Sequence, residues 1–192
     1  MSCTEIFAFD IAGNAHEYCD IRNAWRGAMA VWRKMEEEYL PPKIFYGQKI
    51  SRLMGLNPKD ADEIWDLFSN TKVPEHERIV LGTTFDKCLV RKEDIPKVIE
   101  AFRKFGGETS LPEQADVLEK LLGDDNCIAV GWNQNSVCDS FWIKYNEETD
   151  TYYPYNFLAM NEHWWLFDDL KSEDNLDSSQ YHQRDNADPG GK

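Results

Sequence analysis

The densest group of side chains able to move a proton is Glu75, His76 and Glu77, followed directly by Arg78. A histidine between carboxylates has the residue types of a general acid/base pair of the kind a ribonuclease uses. Pro74 precedes the group and reads as a helix start, so the carboxylates also have a structural explanation, since the helix dipole favours anions in the first turn. His16 and Cys19 offer two metal ligands, but nothing nearby supplies the other two that a zinc site needs. His163 and His182 stand apart, and no Gly-rich phosphate loop, HExxH or CxxC occurs. The sequence therefore predicts no metal and no cofactor, and leaves enzymatic activity as an alternative rather than the leading reading.

Three other groups have the chemistry of recognition. Trp132, Asn133, Gln134 and Asn135, followed by Ser136, place a tryptophan beside three amide side chains just after an apolar run. A loop of this composition stacks on and hydrogen-bonds a ligand or partner, although Asn and Ser are also ordinary turn residues. Glu36, Glu37 and Glu38 fall in the last turn of a helix expected over residues 23–40. Each carboxylate there opposes the helix dipole by ~0.3–1 kcal/mol when exposed, which marks the run as a contact for a basic partner. Glu147, Glu148 and Asp150 lie in the turn of a hairpin expected over residues 141–155, with Trp142 and Tyr153 as aromatic support. Replacing Glu36 to Glu38 with glutamine is expected to weaken binding of a basic partner without lowering the melting temperature.

The elements that position these groups follow from periodicity. Trp25, Ala28, Met29, Trp32, Met35 and Tyr39 share one helical face, with Asn23 as the expected N-cap and Pro41-Pro42 as the stop. Residues 3–10 and 15–21 read as a hairpin across a turn at Gly13-Asn14. Apolar residues recur at helical spacing through residues 95–105 and 115–122, each helix closed by glycine, and Ser110-Leu111-Pro112-Glu113 is a capping-box pattern. The fold class is α+β: a mixed or antiparallel sheet of about five or six strands, with helices packed mainly on one face. Its strands are the N-terminal hairpin and runs near 84–91, 126–131, 141–145 and 151–155. Residues 1–170 form a single domain, and residues 171–192, rich in Ser, Asp, Asn, Gln and Gly, a disordered acidic tail.

Charge narrows the function. The 192-residue chain carries a formal net charge of −14, which repels polyphosphate and anionic membranes and attracts basic proteins. No Lys/Arg-rich stretch is present, so direct binding of duplex DNA is not expected. No apolar run approaches the ~20 residues of a membrane helix. The five cysteines are an odd number without a leader sequence before them, and read as reduced thiols in a cytoplasmic protein.

The opening Ser2-Cys3-Thr4-Glu5-Ile6-Phe7-Ala8-Phe9-Asp10, the segment Asn23-Ala24-Trp25-Arg26-Gly27-Ala28, and Gly131-Trp132-Asn133-Gln134 together resemble small acidic proteins carried by phages and plasmids of Gram-positive bacteria. Some of those are anti-CRISPR inhibitors of Cas9. The likeness is spread over most of residues 1–170, and no motif with assigned roles carries over residue by residue. It implies an inhibitor, acting in the host cytoplasm, that binds a basic nucleic-acid-handling protein such as a Cas9 ribonucleoprotein. Such enzymes hold their nucleic acids in positively charged channels that an acidic surface can occupy. Two alternatives remain: a nuclease-like enzyme that cleaves guide RNA, and a housekeeping cytosolic interaction domain.

Overall fold

Successive side chains of a strand point to opposite faces, and Ile6, Phe7, Ala8 and Phe9 are all buried. A strand buried on both sides needs material on both faces of its sheet. Helices supply one layer here, and an aromatic hairpin with its flanking loops supplies the other. A computed structural model describes residues 3–54, 59–135 and 140–173.

The chain order is β1 (Cys3–Phe9), β2 (Ala15–Arg22), α1 (Ala28–Tyr39), β3 (Lys43–Phe45), β4 (Gln48–Ile50), α2 (Lys59–Trp65), α3 (Glu75–Gly82), β5 (Cys88–Arg91), α4 (Ile95–Phe105), α5 (Leu111–Leu122), β6 (Ala129–Asn135), β7 (Ile143–Asn146), β8 (Thr151–Pro154), β9 (Trp164–Trp165) and α6 (Leu166–Glu173). Five strands form a mixed sheet in the order β2-β1-β6-β5-β9, and β3–β4 and β7–β8 are separate two-stranded pairs. Neighbours in the large sheet are antiparallel except β5 and β9, which are parallel. The fold is therefore α+β. The segments near 141–145 and 151–155 pair with each other as β7 and β8 outside the main sheet, whose fifth strand comes instead from Trp164–Trp165. The strand expected over 84–91 starts only at Cys88, because α3 runs on through turns at Thr84 and Phe85.

On the helix side, Ile6, Val90 and Trp132 of the sheet pack against Val31, Met35, Phe102 and Leu118. On the opposite side, Phe7, Phe9 and Leu89 pack against Trp142 and Tyr155. α4 and α5 each carry proline in the first turn, where its missing N–H costs no hydrogen bond. Ser110 precedes α5 but makes no side-chain cap. Its hydroxyl donates instead to Asn23 Oδ1 at 3.0 Å.

That bond explains why α1 is shorter than its periodicity predicts. Asn23 is buried and does not cap the helix. Its amide donates to Thr4 Oγ1 at 2.9 Å, and Thr4 in turn donates to Gln134 Oε1 at 2.7 Å. The chain then turns through Ala24 and Trp25, both at positive φ, and leaves Trp25 77% exposed. Helix begins after Gly27, where any Cβ would collide with the Asn23 side chain. Trp25 thus leaves the predicted face, and Val31 joins it.

α6 runs to Glu173, three residues beyond the expected domain end at 170. The remainder of the expected tail, residues 174–192, lies outside the described residues. Among the described residues, no helix is long and apolar enough to cross a membrane.

Candidate protein-interaction surface

The proton-transfer group sits on the first turn of α3, and its members are largely committed to structure. Glu77 is 7% exposed and accepts the Tyr39 hydroxyl at 2.6 Å, tying α3 to α1. Lys34 Nζ lies 3.7 Å from Glu77 and donates to the Phe105 carbonyl at 2.6 Å. Burial, then the hydrogen bond to Glu77, pushes the Tyr39 hydroxyl pKa upward. His76 Nε2 is 3.9 Å from Glu77, and burial, then Lys104, holds its pKa below the ordinary imidazole value. Glu75 is exposed and makes no ion pair among the described residues. Arg78 turns inward, with Nε and Nη1 lacking a hydrogen-bond partner among the described residues.

The amide-rich segment expected as a loop is strand β6. Trp132 is 2% exposed, packs edge-on against Phe102, and cannot stack on a ligand. Asn133 donates to Glu5 at 2.8 Å and Gln134 accepts from Thr4 at 2.7 Å, so both amides serve the neighbouring strand. Asn135 pairs with Cys3 through its backbone. Its side chain, and Ser136, lie outside the described residues.

Of the carboxylates ending α1, Glu36 is lost as a contact. It is 7% exposed and accepts Ser51 Oγ at 2.7 Å, the Arg52 main-chain N–H at 2.8 Å and Arg52 Nη1 at 3.3 Å. Burial alone would raise its pKa, but Ser51 and Arg52 outweigh that and lower it. The helical position that reads as solvent-facing is covered by the 3-10 turn Arg52–Met54. Glu37 and Glu38 are exposed, and Glu38 lies 3.9 Å from Lys34.

The β7–β8 hairpin places the other expected carboxylates. Its base is fixed by Trp142, which is fully buried rather than a surface aromatic. The Trp142 ring meets Phe9 edge-on at 5.1 Å, and Nε1 donates to the Trp132 carbonyl at 2.9 Å. Only glycine at 131 leaves room for that ring, since a Cβ there would lie 2.9 Å from Trp142 Cζ2. Beyond this base β8 is exposed throughout, and β7 alternates between exposed and half-buried residues. Asn146 Oδ1 accepts the N–H of Glu148 at 2.9 Å and shapes the turn. Glu147 and Glu148 are exposed and without an ion pair among the described residues. Asp150 accepts the Tyr145 hydroxyl at 2.6 Å, and that bond is the main cause that raises the Tyr145 pKa. Tyr145 and Tyr152 meet with tilted rings 5.0 Å apart, and Tyr152 and Tyr153 are 67% and 40% exposed.

The hairpin also forms one wall of a cleft that the sequence does not announce. Residues 155–157 run antiparallel beside the start of β2: Ala15 N–H donates to the Tyr155 carbonyl at 2.8 Å, Phe157 N–H to that of Gly13 at 3.0 Å, and Asn14 bridges Asn156. The two segments then diverge. A cleft of about 480 Å³ opens between Ala15, His16 and Glu17 on one side and Tyr152, Tyr153 and Pro154 on the other, floored by Phe7 and Ile143. A second cleft, of about 210 Å³, includes Asp10, His16, Tyr18, Asp124 and Cys127. His16 pairs there with Asp10 at 2.8 Å rather than with Cys19, and that hydrogen bond lowers the Asp10 pKa to about 2. Among the described residues, no three His, Cys, Asp or Glu side chains are grouped to hold a metal ion. Burial raises the pKa of Cys3 to about 11 and that of Cys88 well above the thiol value, which makes both poor nucleophiles.

No protein-family model, curated protein or solved structure matches this chain.

Proposed function

We propose that this chain is a binding protein that inhibits a basic, nucleic-acid-handling enzyme by occupying its polynucleotide-binding surface with the β7–β8 hairpin. The observation that carries this reading is the contrast in how the anions are used. Arg26, Arg52, Arg91 and Arg103 are each held by the chain's own carboxylates. Glu147 and Glu148 have no such partner among the described residues and stand beside exposed tyrosines on a buried base. Uncompensated carboxylates speed association with a basic surface, and tyrosines add rigid contact area. The target to which the resemblance to phage- and plasmid-borne proteins leads is a host defence nuclease of the Cas9 type, whose channels are lined by basic residues.

A second reading is favoured by one observation. The Asp10–His16 pair has the form of an oriented general base at the edge of an open cleft. In that reading the chain cleaves guide RNA. Incubating the full chain with guide RNA, alone and loaded in Cas9, separates the two. Intact RNA with a retained Cas9–protein complex supports the binder. Cleavage products that disappear with His16→Gln support the enzyme and overturn the binder.

A further inference from the structure

The fork between β2 and β8 has the chemistry of a side-chain receptor. One wall carries the Glu17 carboxylate, exposed and without an ion pair among the described residues. The other carries Tyr152 and Tyr153, with Pro154 and Ile143 completing an apolar lining. His16, the remaining titratable group in the lining, is engaged with Asp10 at 2.8 Å. Lys144 is drawn to Glu162 at 3.2 Å and lies over the Phe141 ring, so the hairpin's own cation does not line the cleft.

A carboxylate that shares a cleft lining with a tyrosine favours a flat cation. Guanidinium stacks on aromatic faces and forks onto carboxylates, and it sheds water more readily than ammonium. The approach is also built for an extended chain. β2 is the edge strand of the sheet, and its covering segment, residues 155–157, ends where the cleft begins. Beyond Ala15 the strand has an outer edge onto which a peptide main chain can add. The register shift of β2 at Tyr18 lies further along the same edge.

We propose that this fork receives an arginine side chain from an extended basic segment of the partner, its guanidinium between the Glu17 carboxylate and the ring of Tyr153, which the antiparallel run beside Ala15 and Tyr155 places across from Glu17. The proposal rests on the reading of the chain as a binder of basic proteins, and it names the chemistry that the cleft adds to the acidic hairpin turn.

The test is fluorescence anisotropy of the full chain with a labelled, unstructured peptide of alternating Gly, Ser and Arg, and with its lysine and citrulline counterparts. The arginine peptide is expected to bind about tenfold tighter than the lysine peptide, and the citrulline peptide weakest. Glu17→Gln and Tyr153→Ala, both at exposed positions, are expected to weaken the arginine peptide roughly tenfold and to leave the citrulline peptide unchanged. Thermal melts of the two variants establish that they are folded. If both bind the arginine peptide as the parent does while Glu147→Gln/Glu148→Gln weakens it, the arginine receptor is overturned and the binder reading stands. If none of the variants changes binding, both are overturned. Equal affinity for arginine and lysine peptides overturns the guanidinium assignment. So does self-association of the free chain that Glu17→Gln abolishes, which would place a second copy in the fork.

Discussion

The Arg52 guanidinium lies against the Glu36 carboxylate inside the molecule, with Nη1 3.3 Å from Oε1, while Nε holds Glu63 at 2.8 Å. One arginine thus ties α1 to α2 across the β3–β4 hairpin, and its Nη1 also donates to the Pro41 carbonyl at 3.0 Å. A buried carboxylate in such a network is a structural group, and its charge is unavailable to a partner. Glu36→Gln is therefore expected to destabilise the fold by about 2–4 kcal/mol, since an amide cannot satisfy three donors as a carboxylate does. Glu37→Gln, at an exposed site, should stay within about 0.5 kcal/mol of the parent. Thermal unfolding of the two single variants checks the contrast.

Arg78 is the opposite case. The residue is 6% exposed, and its Nε and Nη1 meet no acceptor among the described residues. An unsatisfied buried donor costs ~1–3 kcal/mol, and methionine fills a similar volume without polar hydrogens. Arg78→Met is expected to raise the melting temperature by several degrees. A lower melting temperature would contradict this reading of the buried guanidinium.

His163 makes stability depend on pH. Its Nδ1 lies 3.0 Å from the Tyr155 hydroxyl, and its ring contacts Phe157 and Trp165. Burial holds its pKa below the ordinary value, partly countered by the Met160 backbone and reinforced by Arg91. As pH falls through about 6.5, the unfolded chain takes up a proton that the folded chain resists, so stability drops with pH below that point. The loss is complete once pH has passed below the folded pKa. His76 is shifted in the same direction and adds to the slope. Melting temperature should fall between about pH 7 and pH 5.5. His163→Gln should flatten that fall, and the double variant with His76→Gln should flatten it further. An unchanged slope would refute the assignment.

Gly131 sets the seat of the hairpin. A Cβ there would press on Trp142 and, at 3.0 Å, on Leu89 Cδ2. Gly131→Ala is expected to cost about 1–3 kcal/mol by overpacking. It should also weaken partner binding more than its stability loss explains, because the ring that anchors β7–β8 is displaced. Paired melts and binding titrations distinguish this from a general loss of folded protein.

Where the sequence was readable, a single period governed the element. α4 and α5 follow apolar spacing with proline at the start, and β1 follows from its continuous apolar run and the glycine turn that returns the chain as β2. It was misleading where long-range hydrogen bonds set the backbone. Asn23 looks like a helix cap, yet it serves Thr4 and Ser110, and this removes Trp25 from the helix. Trp132 looks like a loop residue because amides flank it, yet those amides are satisfied by Glu5 and Thr4 on the neighbouring strand. Of the expected contact residues, Glu36 and Trp142 are interior, and Glu37, Glu38, Glu147, Glu148, Asp150 and Tyr153 are exposed. The cleft beside Glu17 was not legible, because it depends on where residues 155–157 leave the edge of β2.

The central claim is that the hairpin turn supplies charge that a basic partner reads. The measurement that tests it most directly is the affinity of the full chain for an immobilised Cas9–guide ribonucleoprotein over a salt series, for the parent and for Glu147→Gln/Glu148→Gln/Asp150→Asn. The parent should bind and weaken as salt screens its charges, while the variant, equally stable, should bind roughly ten- to fiftyfold less tightly and with a shallower salt dependence. Equal affinity and equal salt dependence for the two proteins would contradict the account.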